Sequence, residues 1–157
     1  EDEMGHLGFL LFYLLAGVAA GLGQMAPDAG SDVPMVGASG AIAGVMGGYL
    51  LMFPRAKVDV LFIFVVFFRI FAIRAWIVLG IWLAIQVISG YVTPADSGGV
   101  AYWAHAGGFL AGLVLTLPVW LRRGARGYWR ATEGHPPHPE TAFPAARSPV
   151  PLIRRNR

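Results

Sequence analysis

The sequence predicts an all-α fold, a polytopic bundle of membrane-spanning helices. Three observations lead there. Of 157 residues, 56% are hydrophobic and only 13% charged, with a mean hydropathy of +0.59. Soluble domains carry about 25% charged residues, so a soluble globule of this size would have about half the charge it needs to cover itself. Finally, the chain holds four uncharged apolar runs, each near the ~20 residues an apolar helix needs to cross a bilayer core. An ordinary soluble enzyme and a disordered chain are excluded. The absence of cysteine removes disulfide scaffolds, thiol catalysis and thiolate metal sites. The length fits one domain.

The first run, residues 7–24, is dense in Phe9, Leu10, Leu11, Phe12, Leu14 and Leu15 and stops at Pro27 before a loop containing Asp28, Ser31 and Asp32. The second, 35–53, is closed by Pro54-Arg55-Ala56-Lys57. The third, 75–92, ends at Thr93-Pro94 and a loop holding Asp96, and the fourth, 101–121, is stopped by Arg122-Arg123. Residues 60–68 are apolar but too few to cross as a helix. Lengthening them would put Arg69 and Arg74 in the bilayer at about 2.5–3.5 kcal/mol each near its centre. This stretch is therefore expected to be interfacial or partly re-entrant, with the two arginines as snorkelling anchors.

Charge sets the expected direction. The loops at 25–34 and 93–100 contain no Lys or Arg; all twelve lie at 54–59, at 69–74 or in the tail. Positive residues stay in the cytoplasm, so both ends of this chain are expected inside and both acidic loops outside. Residues 1–121 carry four basic against seven acidic residues; 122–157 carry eight arginines against Glu133 and Glu140. A basic tail beside an apolar body points to a membrane face and not to nucleic acid. The tail is proline-rich without an apolar period, and fixed structure is not expected in it. The chain starts Glu1-Asp2-Glu3 without a Met and without a signal peptide, so a preceding segment is expected.

Two features carry chemistry. Span two opens Gly37-Ala38-Ser39-Gly40-Ala41-Ile42-Ala43-Gly44, and span four opens Ala104-His105-Ala106-Gly107-Gly108, continuing to Gly112. Ser39 and His105 are each the fifth residue of a span entering from outside, so both are expected about 6 Å below its outer end. Gly108 and Gly112 share the helical face of His105, while Gly40, Gly44 and Gly47 border Ser39. Small-residue stripes let helix backbones approach closely in lipid. Close approach is what a hydrogen bond between two short side chains demands, and through it His105 could take the Ser39 proton. The first N–H groups of a helix lack an internal acceptor, so those of Ala38 and Ser39 could receive an oxyanion. Serine, base and oxyanion donors together point to acyl transfer to water, with amide hydrolysis foremost.

Set against this, a membrane serine is commonly a packing or back-bonding residue, and glycine stripes commonly serve packing alone. His6 reads as interfacial, and His135 and His138 in the tail make a poor metal site. Gln86 and Ser89 read as interhelical hydrogen-bonding residues. Phe62, Phe64, Phe67, Phe68 and Phe71 read as lipid-facing, and Tyr102 and Trp103 as an outer aromatic belt that could also shape a site.

At these residues the chain resembles the rhomboid family of intramembrane serine proteases. The family's Gly-x-Ser-Gly matches Gly37-Ala38-Ser39-Gly40, extending through Ala41-Ile42, and its His-x-x-Gly-x-x-x-Gly matches His105, Gly108 and Gly112. Phe9 to Leu14, Phe53-Pro54-Arg55-Ala56, and Ala75-Trp76 leading to Trp82 and Gln86 add to the likeness, which covers residues 1–121. The resemblance implies a six-helix core, of which four spans fall in this chain, and a Ser–His dyad without a third carboxylate. Ser39 would be nucleophile and His105 base, then acid. Water would enter from the outer side. Substrates would be membrane proteins cut in or near a transmembrane segment, with no metal and no cofactor. The lipid bilayer, in a bacterial plasma membrane, is the other expected partner. Family members carry two further spans upstream, the second with a His-x-x-x-Asn pattern that helps hold the oxyanion, and this chain is expected to begin just after it. The alternatives are a non-catalytic rhomboid-like protein that binds membrane clients, an inactive truncated form, or a transporter fragment.

Overall fold

The computed structural model describes residues 1–27, 29–30, 36–64, 67–94 and 99–136, with the backbone alone at 62–64 and 67–68. In chain order the elements are α1 (Gly5–Met25), α2 (Ser39–Met52), β1 (Lys57–Phe64), β2 (Phe67–Arg74), α3 (Ala75–Val92), α4 (Tyr102–Arg122) and α5 (Arg126–Ala131). Prolines mark three helix ends. Ala26, Phe53 and Thr93 each precede one; Ala26 stays helical (φ −59°, ψ −44°), whereas at the other two the proline drives the residue before it out of the helix. Thr93 (φ −92°, ψ 123°) is accordingly extended, and Phe53 (φ −131°, ψ 62°) has left the helical region. Pro118 lies inside α4, a position tolerated in membrane helices because neighbours and local adjustments satisfy the freed carbonyl.

α1, α3 and α4 are long and apolar enough to cross a membrane, at 21, 18 and 21 residues. They carry exposed Leu7, Val18, Leu22, Ile81, Ile88 and Val114, surfaces suited to lipid and not to water. α2 differs. The stretch expected to cross as residues 35–53 is helical over only 14 residues, about 21 Å at 1.5 Å per residue; residue 35 lies outside the described residues. Its length matters less because α2 is central. Gly40, Ala41, Ala43, Gly44, Gly47, Gly48 and Met52 are buried along about half of its circumference, against α4 above all, then α1 and α3. Protein, more than lipid, surrounds it.

The all-α expectation is corrected between α2 and α3. Residues 60–64 and 67–68 are not a re-entrant lead-in but belong to an antiparallel strand pair, running in register from Lys57 opposite Arg74 to Phe64 opposite Phe67; residues 65 and 66 lie outside the described residues. Its β-branched and aromatic composition suits a pleated backbone. The Ala75 N–H donates to the Ala56 carbonyl (2.7 Å), closing the hairpin's base where α3 begins.

The expectation of a structureless tail from residue 122 is also corrected at its start. α5 folds back on the bundle: the Trp129 indole donates to the Leu51 carbonyl (3.0 Å), the Tyr128 hydroxyl to Glu3 (3.0 Å), and the Arg55 N–H to the Gly134 carbonyl (3.0 Å). Arg123 pairs with Glu3 at 3.1 Å. The start of α1 and the ends of α2 and α4 are thus tied together at one pole, where the hairpin also begins. Residues 137–157 lie outside the described residues.

Candidate active site

The opposite pole holds Ser39 and His105. Gly37 adopts φ +122°, a conformation that a residue with a Cβ rarely takes, and the chain then enters α2 at Ser39. Counting from the observed starts, Ser39 is the first residue of α2 and His105 the fourth of α4. The count of five residues, from 35 and from 101, is therefore corrected to one and four. α4 reaches almost one turn beyond α2 here, and that offset brings the two side chains level.

They meet. Ser39 Oγ and His105 Nε2 are 2.9 Å apart, with the serine exposed and the imidazole half-buried. As the first helical residue, Ser39 has an N–H without an acceptor inside α2, in the positive end of the helix dipole. Its neighbour Ala38 is the N-cap.

The glycine stripes face each other. A Cβ on Gly108 would strike the Gly40 carbonyl, one on Gly112 the Gly44 carbonyl, and one on Gly47 the Phe109 carbonyl. Backbone therefore lies on backbone all along the α2–α4 seam, and one added methyl would force the helices apart. Gly40 and Gly44 also receive Ala20 and Ala16 of α1, while Gly107 faces Gly23 across the α1–α4 contact. Gly37 stands outside this seam: it is exposed, and of the described atoms only Ser39 Oγ would lie within 4 Å of its Cβ.

α3 reaches the same site. His105 Nδ1 lies 2.8 Å from Gln86 Oε1, and the Gln86 side-chain nitrogen contacts the Trp82 carbonyl at 3.5 Å. The Trp82 ring is 5.7 Å from the imidazole, inclined by 36°, and 6.1 Å from Phe109. Gln24 of α1 accepts the Ala104 N–H (3.0 Å), satisfying one of the free donors in the first turn of α4. Trp103 donates to the Gly90 carbonyl (3.1 Å) and meets Tyr91 edge-on, which fastens α4 to the end of α3. Each of α1, α2 and α3 thus grips the first turn of α4.

Sequence reasoning read Gln86 as an interhelical partner and gave Gln24 no part. The available signal was the four-residue spacing of Trp82 and Gln86, which puts both on one face of α3. His6 is exposed at the far pole, bonded to Glu1. His135 follows α5, its N–H on the Thr132 carbonyl, and His138 lies outside the described residues.

The family model of the Rhomboid domain matches residues 1–122. The chain belongs to the rhomboid family. Comparison with curated proteins and with solved structures returned no match. The matched span takes in α1 to α4 of this rhomboid protein, both strands, and both Ser39 and His105. With three helices long and apolar enough to cross a bilayer, it is an integral membrane protein. Rhomboids are in general intramembrane serine proteases acting on membrane proteins.

Proposed function

We propose that this rhomboid protein is a serine endopeptidase that cuts membrane proteins in or near their transmembrane segments, with Ser39 as nucleophile and His105 as general base. The observation that carries the reading is the 2.9 Å approach of Ser39 Oγ to His105 Nε2. As Oγ bonds to the scissile carbonyl carbon, its proton passes to Nε2 and the carbonyl π pair becomes an oxyanion. The N–H groups of Ala38 and Ser39 are the proposed donors to that oxygen, aided by the helix N-terminus. His105 then gives its proton to the departing amide nitrogen as the C–N bond breaks. Water, deprotonated by His105, attacks the acyl-Ser39 ester; the acid product leaves and the hydroxyl is restored.

The substrate class follows from position. Ser39 lies at the mouth of a bundle whose outer surface is apolar, so a peptide reaches it from the plane of the membrane while water comes from the open end. Rhomboid membership supports the same substrates. The expected orientation puts that mouth outside the cell and the arginine-rich pole in the cytoplasm.

A fluorophosphonate probe on the detergent-solubilised protein tests the assignment. Labelling is expected in the wild type and is lost in Ser39→Ala. In His105→Ala it falls by about 10²–10⁴-fold, the usual worth of a general base. Attachment of the probe that persists in Ser39→Ala overturns the reading. Capture of membrane clients without cleavage, unaffected by Ser39→Ala, would replace it with a non-catalytic one.

A further inference from the structure

We propose that Gln86 is a positioning residue that holds His105 in the tautomer with its proton on Nδ1, leaving Nε2 free to accept from Ser39. The assignment rests on the protease reading for its catalytic meaning, but its physical content concerns two ring nitrogens and one amide.

A neutral imidazole carries one proton, and the partner of one nitrogen decides the role of the other. Here Nδ1 faces Gln86 at 2.8 Å and Nε2 faces Ser39 at 2.9 Å. A carboxamide can present either an acceptor oxygen or a donor NH₂, so glutamine alone leaves the choice open. If the NH₂ turned to Nδ1, the ring proton would move to Nε2 and His105 could not take the serine proton. The Trp82 carbonyl biases that choice. It can only accept, and it lies 3.5 Å from Gln86 Nε2, so the NH₂ points back along α3 and Oε1 points to His105. Oε1 can only accept, so Nδ1 must donate.

Burial sharpens the selection. Gln86 is 7% exposed, and little water can reach it to satisfy a flipped amide. A turned NH₂ would abandon the Trp82 carbonyl and set two donors or two lone pairs against each other. Residue 82 contributes twice, because its ring also lies beside the imidazole and restricts its rotation. Trp82 and Gln86 are one turn apart, so a single stretch of α3 supplies both restraints. An amide gives orientation without placing a second charge in the bundle, where an ionised carboxylate would carry a heavy desolvation cost. Gln86 therefore orients the base and does not neutralise the imidazolium formed in the reaction.

The test uses the full chain in micelles with ¹⁵N-labelled histidine, the His105 signal being assigned by its loss in His105→Ala. The wild type is expected to carry the proton on Nδ1. Gln86→Met, close in size but without the acceptor, should shift His105 toward the Nε2–H form. It should slow fluorophosphonate labelling of Ser39 by about ten- to hundred-fold, the cost known for losing the partner that orients a metal-bound histidine. Gln86→Glu restores an oxygen acceptor and should recover both the tautomer and most of the rate, which mere packing repair would not. Gln86→Leu repeats the loss if the Met variant does not fold, with helix content checked by circular dichroism. A wild-type proton on Nε2, or Gln86→Met labelling at the wild-type rate, overturns the assignment. A wild type with the Nδ1 proton whose Ser39 never labels would sink the protease reading while upholding the restraint of His105 by Gln86.

Discussion

Tyr128 shows how much one side chain can hold at the pole away from Ser39. Its hydroxyl donates to Glu3 at 3.0 Å, while Arg123 pairs with the same carboxylate at 3.1 Å. Burial first, then the hydrogen bond to Glu3 and the carboxylate's charge, push the phenol up to about 12, with Arg123 pulling the other way. A folded-state value above the unfolded ~10 means the protonated phenol stabilises the fold. That contribution is complete below about pH 10 and disappears as pH climbs through about 12. Tyr128→Phe should therefore cost about 1 kcal/mol at neutral pH. It should also melt with a flatter pH dependence between pH 10 and 12, which thermal melts of both proteins in micelles would read. At this scale the sequence was legible wherever chemistry needs a particular residue type. Ser39 and His105 stand out because a hydroxyl and an imidazole each follow a glycine-bordered helix start. Gln86 stood out only as an interhelical partner and Gln24 not at all, since an amide in a membrane helix bonds whichever neighbour packing presents. Only tertiary contact shows that one reaches His105 and the other caps α4.

Among the elements, the α2–α4 seam determines whether the site exists. Thr116 of α4 is fully buried, its hydroxyl beside Gly48, where a Cβ would come within 2.5 Å. Gly112→Ala would drive a methyl into the Gly44 carbonyl, and such overpacking costs about 1–3 kcal/mol. The helices should part, lengthening the Ser39–His105 contact, so probe labelling falls together with the melting temperature. Gly80→Ala is the matching control. Its Cβ would meet nothing within 4 Å, and alanine's better helix propensity, worth up to about 1 kcal/mol, should leave stability equal or higher and labelling unchanged. Equal melting of wild type and Gly112→Ala would show that the seam is looser than its backbone contacts imply. The facing glycine stripes were readable from spacing, because a small residue every third or fourth position can only serve one helical face. The hairpin was not readable. An unbroken apolar run gives no period-two alternation, and Val65-Val66 between the strands has none of the Asn or Gly that marks a tight turn. α5 escaped for a similar reason: six residues are too few to declare a period, and Tyr128 and Trp129 acquire meaning only from Glu3 and Leu51.

Taken as a whole, the molecule is polar along one axis, and that polarity predicts which way it sits in a membrane. Arg55, Lys57 and Arg74 flank the hairpin's base, and Arg122, Arg123, Arg126 and Arg130 close α4 and line α5. All belong to the pole where Glu3, Tyr128 and Leu51 are joined. Ser39, Gln24 and His105 occupy the other. Bias of Lys and Arg within short loops fixes orientation during insertion, whereas acidic residues contribute little. Ser39 is therefore expected to open away from the cytoplasm. The chain contains no cysteine, so single substitutions report position without background. Ala29→Cys, exposed beyond the end of α1, should react with a membrane-impermeant maleimide on intact cells. Gly127→Cys, at an exposed position of α5 with nothing within 4 Å of its Cβ, should react only once the membrane is permeabilised. The reverse pattern would turn the serine toward the cytoplasm and require substrates cleaved near their inner ends. Equal reaction of both sites before permeabilisation would mean the arginine-rich pole is not held behind the bilayer. α5 and its bonds to α1 and α2 would then lie on the same side as the site, which their attachment to the far ends of those helices forbids for a bundle that spans.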